Sequence, residues 1–96
     1  MMKFDHDDDG YVDWMEANPN GFVLNCHRRP QPDYLILHRA TCKSVSRTAE
    51  PPVRWTTSDF IKVCATDITG IEVWCNKNAQ GAPQPCGMCI RQAQTR

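Results

Sequence analysis

The chain has 96 residues, a formal net charge of zero and 41% hydrophobic residues. This is the length of one domain, and the apolar content is too high for a disordered segment. No apolar run approaches the roughly 18 residues that a membrane-spanning helix requires. These values exclude a second domain, a membrane protein and a disordered chain, and they predict a single globular domain over residues 1–96.

The zero net charge is a cancellation between two parts of the chain. Residues 1–16 contain six acidic side chains and one lysine, so residues 17–96 carry ten basic against five acidic side chains, a formal +5. We interpret residues 1–20 as an acidic N-terminal helix segment, residues 21–89 as the body and residues 90–96 as a polar tail. A basic body permits contact with a polyanion.

The predicted elements are few and short. A first helix follows Asp8 or Asp9, because apolar residues recur there at near-helical spacing until the Asn-Pro-Asn-Gly turn at 18–21. The apolar runs 21–26 and 34–38 predict two strands that pair antiparallel, and residues 53–63 predict a weaker strand. A second helix begins after Asp67 and is closed by the glycine and proline at 81 and 83.

The chain contains six cysteines. Its first nine residues, Met-Met-Lys-Phe-Asp-His-Asp-Asp-Asp, are acidic where a secretory signal is basic and then apolar. We therefore expect a cytoplasmic, reducing location and interpret the cysteines first as thiols. At such a density they more often bind a metal than form disulfides.

Two spaced pairs predict a zinc site. Cys86 and Cys89 form a C-x2-C motif in a segment rich in glycine and proline, and this spacing lets two thiolates bind one zinc at tetrahedral angles. His38 and Cys42 supply the second pair at the end of a predicted strand. Three cysteines and one histidine are a common structural zinc set. If His38 is structural instead, Cys64 is the substitute ligand.

The remaining cysteines, Cys26, Cys64 and Cys75, are predicted to be small buried side chains of the core, since free cysteine is among the most buried residue types. The alternative of a redox pair at Cys86 and Cys89 requires that pair to open a helix. The prolines before Cys86 disfavour such a helix.

The stretch from Tyr34 to Cys89 resembles the Ada-type metal-binding domain, a small bacterial zinc domain. The resemblance rests on His38-x3-Cys42 after an apolar run, on the helix after Asp67, and on Gly-Ala-Pro-Gln-Pro-Cys-Gly-Met-Cys at 81–89. In that family the first ligand is a cysteine that accepts a methyl group from DNA phosphate. This chain has His38 there, so the resemblance implies the fold and the zinc without the repair reaction, and it leaves DNA contact open.

The acidic start also matches the twelve-residue calcium loop of an EF-hand, with Asp5, Asp7, Asp9 and Glu16 at oxygen-ligand positions and Gly10 at the sharp turn. Only four residues precede this loop, and Pro19 shortens the helix after it. The alternative is an acidic helix N-terminus that is stabilised by the helix dipole without an ion.

The fold class predicted from these features is α+β: a small zinc-stabilised domain with a short antiparallel sheet, two helices and a zinc knuckle. We expect a module that contacts nucleic acid, with DNA as the expected ligand. It is expected to be non-catalytic, since no nucleophile motif is present and zinc with four protein ligands is closed to substrate. The alternatives are a protein-interaction adaptor and a calcium-binding module. The predicted nucleic-acid-binding residues are Arg28, Arg29, Arg39, Lys43, Arg47 and Arg54.

Overall fold

The computed structural model describes residues 1–42, 45 and 55–87. Within these residues the fold is α+β, as predicted, with two helices and one five-stranded sheet. The elements in chain order are β1 (Met2–Phe4), α1 (Asp8–Ala17), β2 (Phe22–His27), β3 (Leu35–Arg39), β4 (Phe60–Ala65), α2 (Ile68–Ala79) and β5 (Gln84–Pro85).

The sheet has the strand order β1-β4-β2-β3-β5. The predicted antiparallel pairing of the runs 21–26 and 34–38 is confirmed, since β2 pairs with β3 and Val23 lies opposite His38. The prediction of a wholly antiparallel sheet is wrong, because β5 runs parallel to β3. Helix α2 returns the chain across the sheet, so β5 enters in the direction of β4, which is also the direction of β3.

Aspartate side chains cap both helices. Asp67 precedes α2 as predicted, and its carboxylate accepts a hydrogen bond from the Gly70 N–H at 3.0 Å. Helix α1 is capped by Asp7, which accepts from the Gly10 N–H at 3.0 Å, and not by Asp8 or Asp9. Asp8 cannot take this role because its carboxylate binds another segment, described below.

The alternation of side chains along the strands gives the sheet two buried faces. The α2 face is packed by α2 and is wholly apolar, with Leu24, Cys26, Leu35, Leu37, Ile61, Val63, Ala65, Ile71, Trp74, Cys75 and Ala79. The α1 face is packed by α1, with Phe4, Tyr11, Met15, Val23, Ala40, Cys42, Val45 and Cys64.

The prediction that Cys26, Cys64 and Cys75 are buried core residues is confirmed, because all three are fully buried. The thiols of Cys26, Cys64 and Cys75 form no disulfide. In the same part, neither helix is long and apolar enough to cross a membrane.

Candidate metal centre

Three side chains converge where β3 ends beside β5. One ligand atom each from His38, Cys42 and Cys86 lies within 4.8 Å of the other two. Two thiolates bound to one tetrahedral zinc are roughly 3.8 Å apart, because each Zn–S bond is about 2.3 Å. A contraction of up to about 1 Å between the two sulfurs, and of up to about 1.3 Å between each sulfur and the imidazole nitrogen, therefore suffices for all three residues to bind one ion.

The end of β3 presents the first two of these residues. His38 lies on the α1 face, and the chain turns directly after Arg39. The Ala40 N–H donates to the Gly21 carbonyl at 3.0 Å, and the Cys42 N–H donates to the Arg39 carbonyl at 2.9 Å. These backbone hydrogen bonds hold the turn that returns Cys42 to the level of His38.

Strand β5 presents Cys86. The Cys86 N–H donates to the Leu37 carbonyl at 2.8 Å, which continues the short parallel pairing of β3 and β5. The connection before β5 packs tightly, since a Cβ on Gly81 would lie 3.0 Å from both the Leu35 side chain and the Pro32 backbone. Glycine at position 81 thus allows the chain to reach the edge of β3 and to set Cys86 beside His38.

His38 has the environment of a ligand. Its side chain is buried, with 6% exposed, and its Nδ1 atom has no hydrogen-bond partner. Burial, followed by the nearby charge of Lys62, lowers the pKa of His38 to about 4, so the imidazole is neutral at pH 7. A buried nitrogen without a partner costs about 1–3 kcal/mol, and a metal ion bound at Nδ1 would satisfy it. A neutral imidazole and two thiol sulfurs are also the donors that zinc prefers, so these residues fit the predicted ion.

The structure brings together three of the four predicted zinc ligands. The fourth, Cys89, lies outside the described residues. The substitute ligand, Cys64, shares the α1 face with His38, but the two residues flank Val23 on neighbouring strands. They are therefore separated by two strand spacings, roughly 9.5 Å, and Cys64 is not a member of the group.

The four predicted calcium ligands do not form a potential metal group among the described residues. The chain is helical from Asp8 onward, where an EF-hand needs an irregular loop, and Asp7 is used as the helix cap. The Asp5 carboxylate binds the Arg28 guanidinium at 2.9 Å, and this hydrogen bond holds the pKa of Asp5 below its usual value. Asp9 and Glu16 are exposed, and none of the four carboxylates belongs to a potential metal group in the described part of the chain.

Sequence reasoning missed a polar network between α1 and residues 55–62. Asp8 Oδ1 accepts hydrogen bonds from the Thr56 N–H at 2.7 Å and from the Thr56 hydroxyl at 2.6 Å. The Lys62 ammonium group donates to the Trp55 carbonyl at 2.7 Å and to Asn25 Oδ1 at 2.9 Å. Burial lowers the pKa of Lys62 to about 8. No local pattern announces these contacts, because Asp8 and Thr56 are 48 positions apart.

The predicted basic surface is only partly available. The Arg28 guanidinium donates to Asp5 and to the carbonyls of Thr56 and Ser58, so it is engaged inside the fold. Arg39 is half-buried, and its guanidinium carbon lies 5.8 Å from the centre of the Phe22 ring. Arg29 is exposed. The other three predicted contact residues, Lys43, Arg47 and Arg54, lie outside the described residues.

No protein-family model matches the chain, and no curated protein or solved structure is detectably similar to it. The resemblance to the Ada-type domain thus stays an expectation, and the group of His38, Cys42 and Cys86 is what the fold itself offers as a functional site.

Proposed function

We propose that this chain is a non-catalytic binding module stabilised by one zinc ion, which is bound by His38, Cys42, Cys86 and Cys89. The observation that carries the proposal is the convergence of an imidazole and two thiols within 4.8 Å, with the buried Nδ1 of the imidazole lacking any hydrogen bond. Cys89 follows Cys86 at the C-x2-C spacing that zinc favours. The ion would cross-link the end of β3 to the edge strand β5.

Metal analysis tests this proposal. Protein purified without chelator should contain one zinc per chain, and this content should be lost in Cys42→Ala and in Cys86→Ala. Cys75→Ala is the matched control, because Cys75 is a buried thiol on the α2 face and its removal should leave the zinc content unchanged. Wild-type protein that contains no zinc and binds none would refute the proposal.

The module is proposed to be non-catalytic because four protein ligands leave zinc no open position for a substrate. The resemblance adds a second reason, since His38 stands where the Ada-type domain has its methyl-accepting cysteine. Incubation with methylphosphotriester DNA should therefore leave the intact mass unchanged. A gain of one methyl group on a cysteine would contradict this part of the proposal.

The proposed partner is nucleic acid, and DNA is the first candidate. The support is the formal +5 of residues 17–96 and the exposed guanidinium of Arg29. Few phosphate contacts give non-specific dissociation constants of roughly 10⁻⁴ to 10⁻⁶ M at physiological salt, so binding should be weak and should fall steeply as salt is added.

Titration of the zinc-loaded protein with random duplex DNA over a salt series tests the partner. Arg29→Ala should weaken binding and flatten the salt dependence, while Lys77→Ala, an equal loss of charge from an exposed position on α2, should do neither. A wild type that shows no binding at low salt would favour the protein-interaction adaptor instead.

A further inference from the structure

Helix α1 contacts the segment that carries Cys42 through one buried hydroxyl group. The Tyr11 hydroxyl donates to the Val45 carbonyl at 2.8 Å, and Tyr11 is fully buried. The Val45 N–H in turn donates to the Cys42 carbonyl at 3.0 Å. The hydroxyl is thus two hydrogen bonds away from the backbone of a proposed zinc ligand.

The surroundings of Tyr11 fix this hydroxyl in place. Its ring packs between the rings of Phe4 and Trp55, with centroid distances of 6.0 and 5.8 Å. Tyrosine ordinarily ionises only at about pH 10, so this hydroxyl is protonated at neutral pH and can donate. A rigid donor of this kind costs little conformational entropy when it orders the residue that it binds.

We infer that Tyr11 is a positioning residue of the metal centre, whose hydroxyl holds Val45 and, through the Val45 N–H, the backbone of Cys42, so that the Cys42 thiol faces His38 and Cys86 before an ion arrives. This inference rests on the proposed zinc site. Groups that orient metal ligands typically contribute 10–100-fold to metal affinity. The acidic N-terminal segment would then contribute to the zinc site indirectly, by orienting a ligand, instead of binding calcium itself.

A purely structural role is the competing explanation, since a buried tyrosine also stabilises the fold by satisfying the Val45 carbonyl. In that case removal of the hydroxyl would lower metal affinity only through the lost stability. If the role is only structural, a variant elsewhere with an equal loss of stability should lose as much metal affinity as Tyr11→Phe. If Tyr11 positions the ligand, Tyr11→Phe should lose more. The two roles also differ in whether the geometry around the ion changes.

The test compares three variants of the full chain. Tyr11→Phe removes only the hydroxyl from the proposed positioning residue. Tyr34→Phe is the matched control, because its hydroxyl interacts only weakly, at 3.5 Å from Asn25 Nδ2 on a half-buried site. Ile71→Val lowers stability on the α2 face without contacting the centre. Zinc affinity is measured by competition with a chromophoric chelator, stability by urea unfolding, and ligand geometry by the visible absorption of the cobalt(II) form.

We expect Tyr11→Phe to lose about 10–100-fold in zinc affinity and to shift the cobalt(II) bands. Tyr34→Phe should keep the wild-type affinity and spectrum, and Ile71→Val should lose no more affinity than its stability loss explains. Suppose that Tyr11→Phe has a cobalt(II) spectrum identical to wild type and an affinity loss that matches its stability loss. This result would overturn the inference about Tyr11 and leave the proposed zinc site standing. A wild type that binds neither metal would instead overturn the proposed zinc site.

Discussion

The two faces of the sheet are stabilised by different means. The α2 face buries only apolar side chains and thiols, so its contribution follows from the area removed from water. The α1 side holds the three buried polar or charged side chains of the described residues, His38, Thr56 and Lys62. Each of these depends on a specific partner, and for His38 the proposed partner is an ion. The stability of the α2 face therefore depends on the size and shape of its buried side chains. The stability of the α1 face depends on the specific partners of its buried polar groups.

Removal of the proposed zinc ion should cause the largest loss of stability, and this loss should arise on the α1 face. Structural zinc contributes on the order of 10 kcal/mol of apparent folding free energy, which is comparable to the whole stability of a small domain. A strong chelator should therefore abolish the cooperative thermal transition seen by circular dichroism. An unchanged transition in the chelated protein would mean that the α1 face needs no ion.

A large-to-small change on the α2 face should come next. Ile71→Ala removes a fully buried side chain and should cost about 2–5 kcal/mol in urea unfolding at saturating zinc. Ile68→Ala is the same change on the same helix at a position that is 36% exposed, and it should cost far less. Both variants should still bind one zinc. Loss of zinc from folded Ile71→Ala would show that the two faces are not independent.

Removal of an acceptor on the α1 face should have a smaller effect. Asp8→Ala leaves the N–H and hydroxyl of buried Thr56 without their acceptor, which costs about 1–3 kcal/mol. Asp9→Ala makes the same charge change in the same turn of α1 at an exposed position, so it controls for the helix dipole. Equal losses of unfolding free energy in the two variants would show that the hydrogen bonds from Thr56 to Asp8 add no stability.

Alkaline pH should lower the stability of the protein, because a thiol of the α2 face is buried. Burial, followed by the charge of Glu72, raises the pKa of Cys75 from 9.0 to about 11. The unfolded chain then ionises first, so stability is retained below pH 9 and is lost as the pH rises towards 11. At pH 10 the loss is about 1 kcal/mol. Cys75→Ala should flatten the decline between pH 9 and 11, and parallel curves for the two proteins would contradict this.

The sequence predicted what local spacing determines. The paired strands β2 and β3, the Asp67 cap and the proximity of His38 to Cys42 all arise from residues at most 17 positions apart, which is the separation of Phe22 and Arg39. Strand β1 was missed because it has three residues and a single buried side chain, Phe4. Strand β5 was missed because it has two residues, one of them a proline, and is defined only by its parallel neighbour.

The acidic start shows why one specific pattern is compatible with more than one contact. Aspartates that could ligate calcium are equally suited to cap a helix or to bind an arginine. Which use prevails is decided by distant partners, here Arg28 for Asp5 and Thr56 for Asp8. Such partners come from distant segments of the chain and cannot be read from the spacing within residues 5–16.

The position of β5 has a consequence for synthesis on the ribosome. Strands β2, β3 and β4 can pair as soon as residue 65 has emerged, because β2 lies between β3 and β4 in the sheet. The edge that carries Cys86 is translated after α2, and its backbone joins the sheet by the single pairing with β3. An ion that arrives earlier would find only His38 and Cys42 of the proposed site, so the nascent chain should acquire the proposed metal late, once Cys86 and Cys89 have left the exit tunnel.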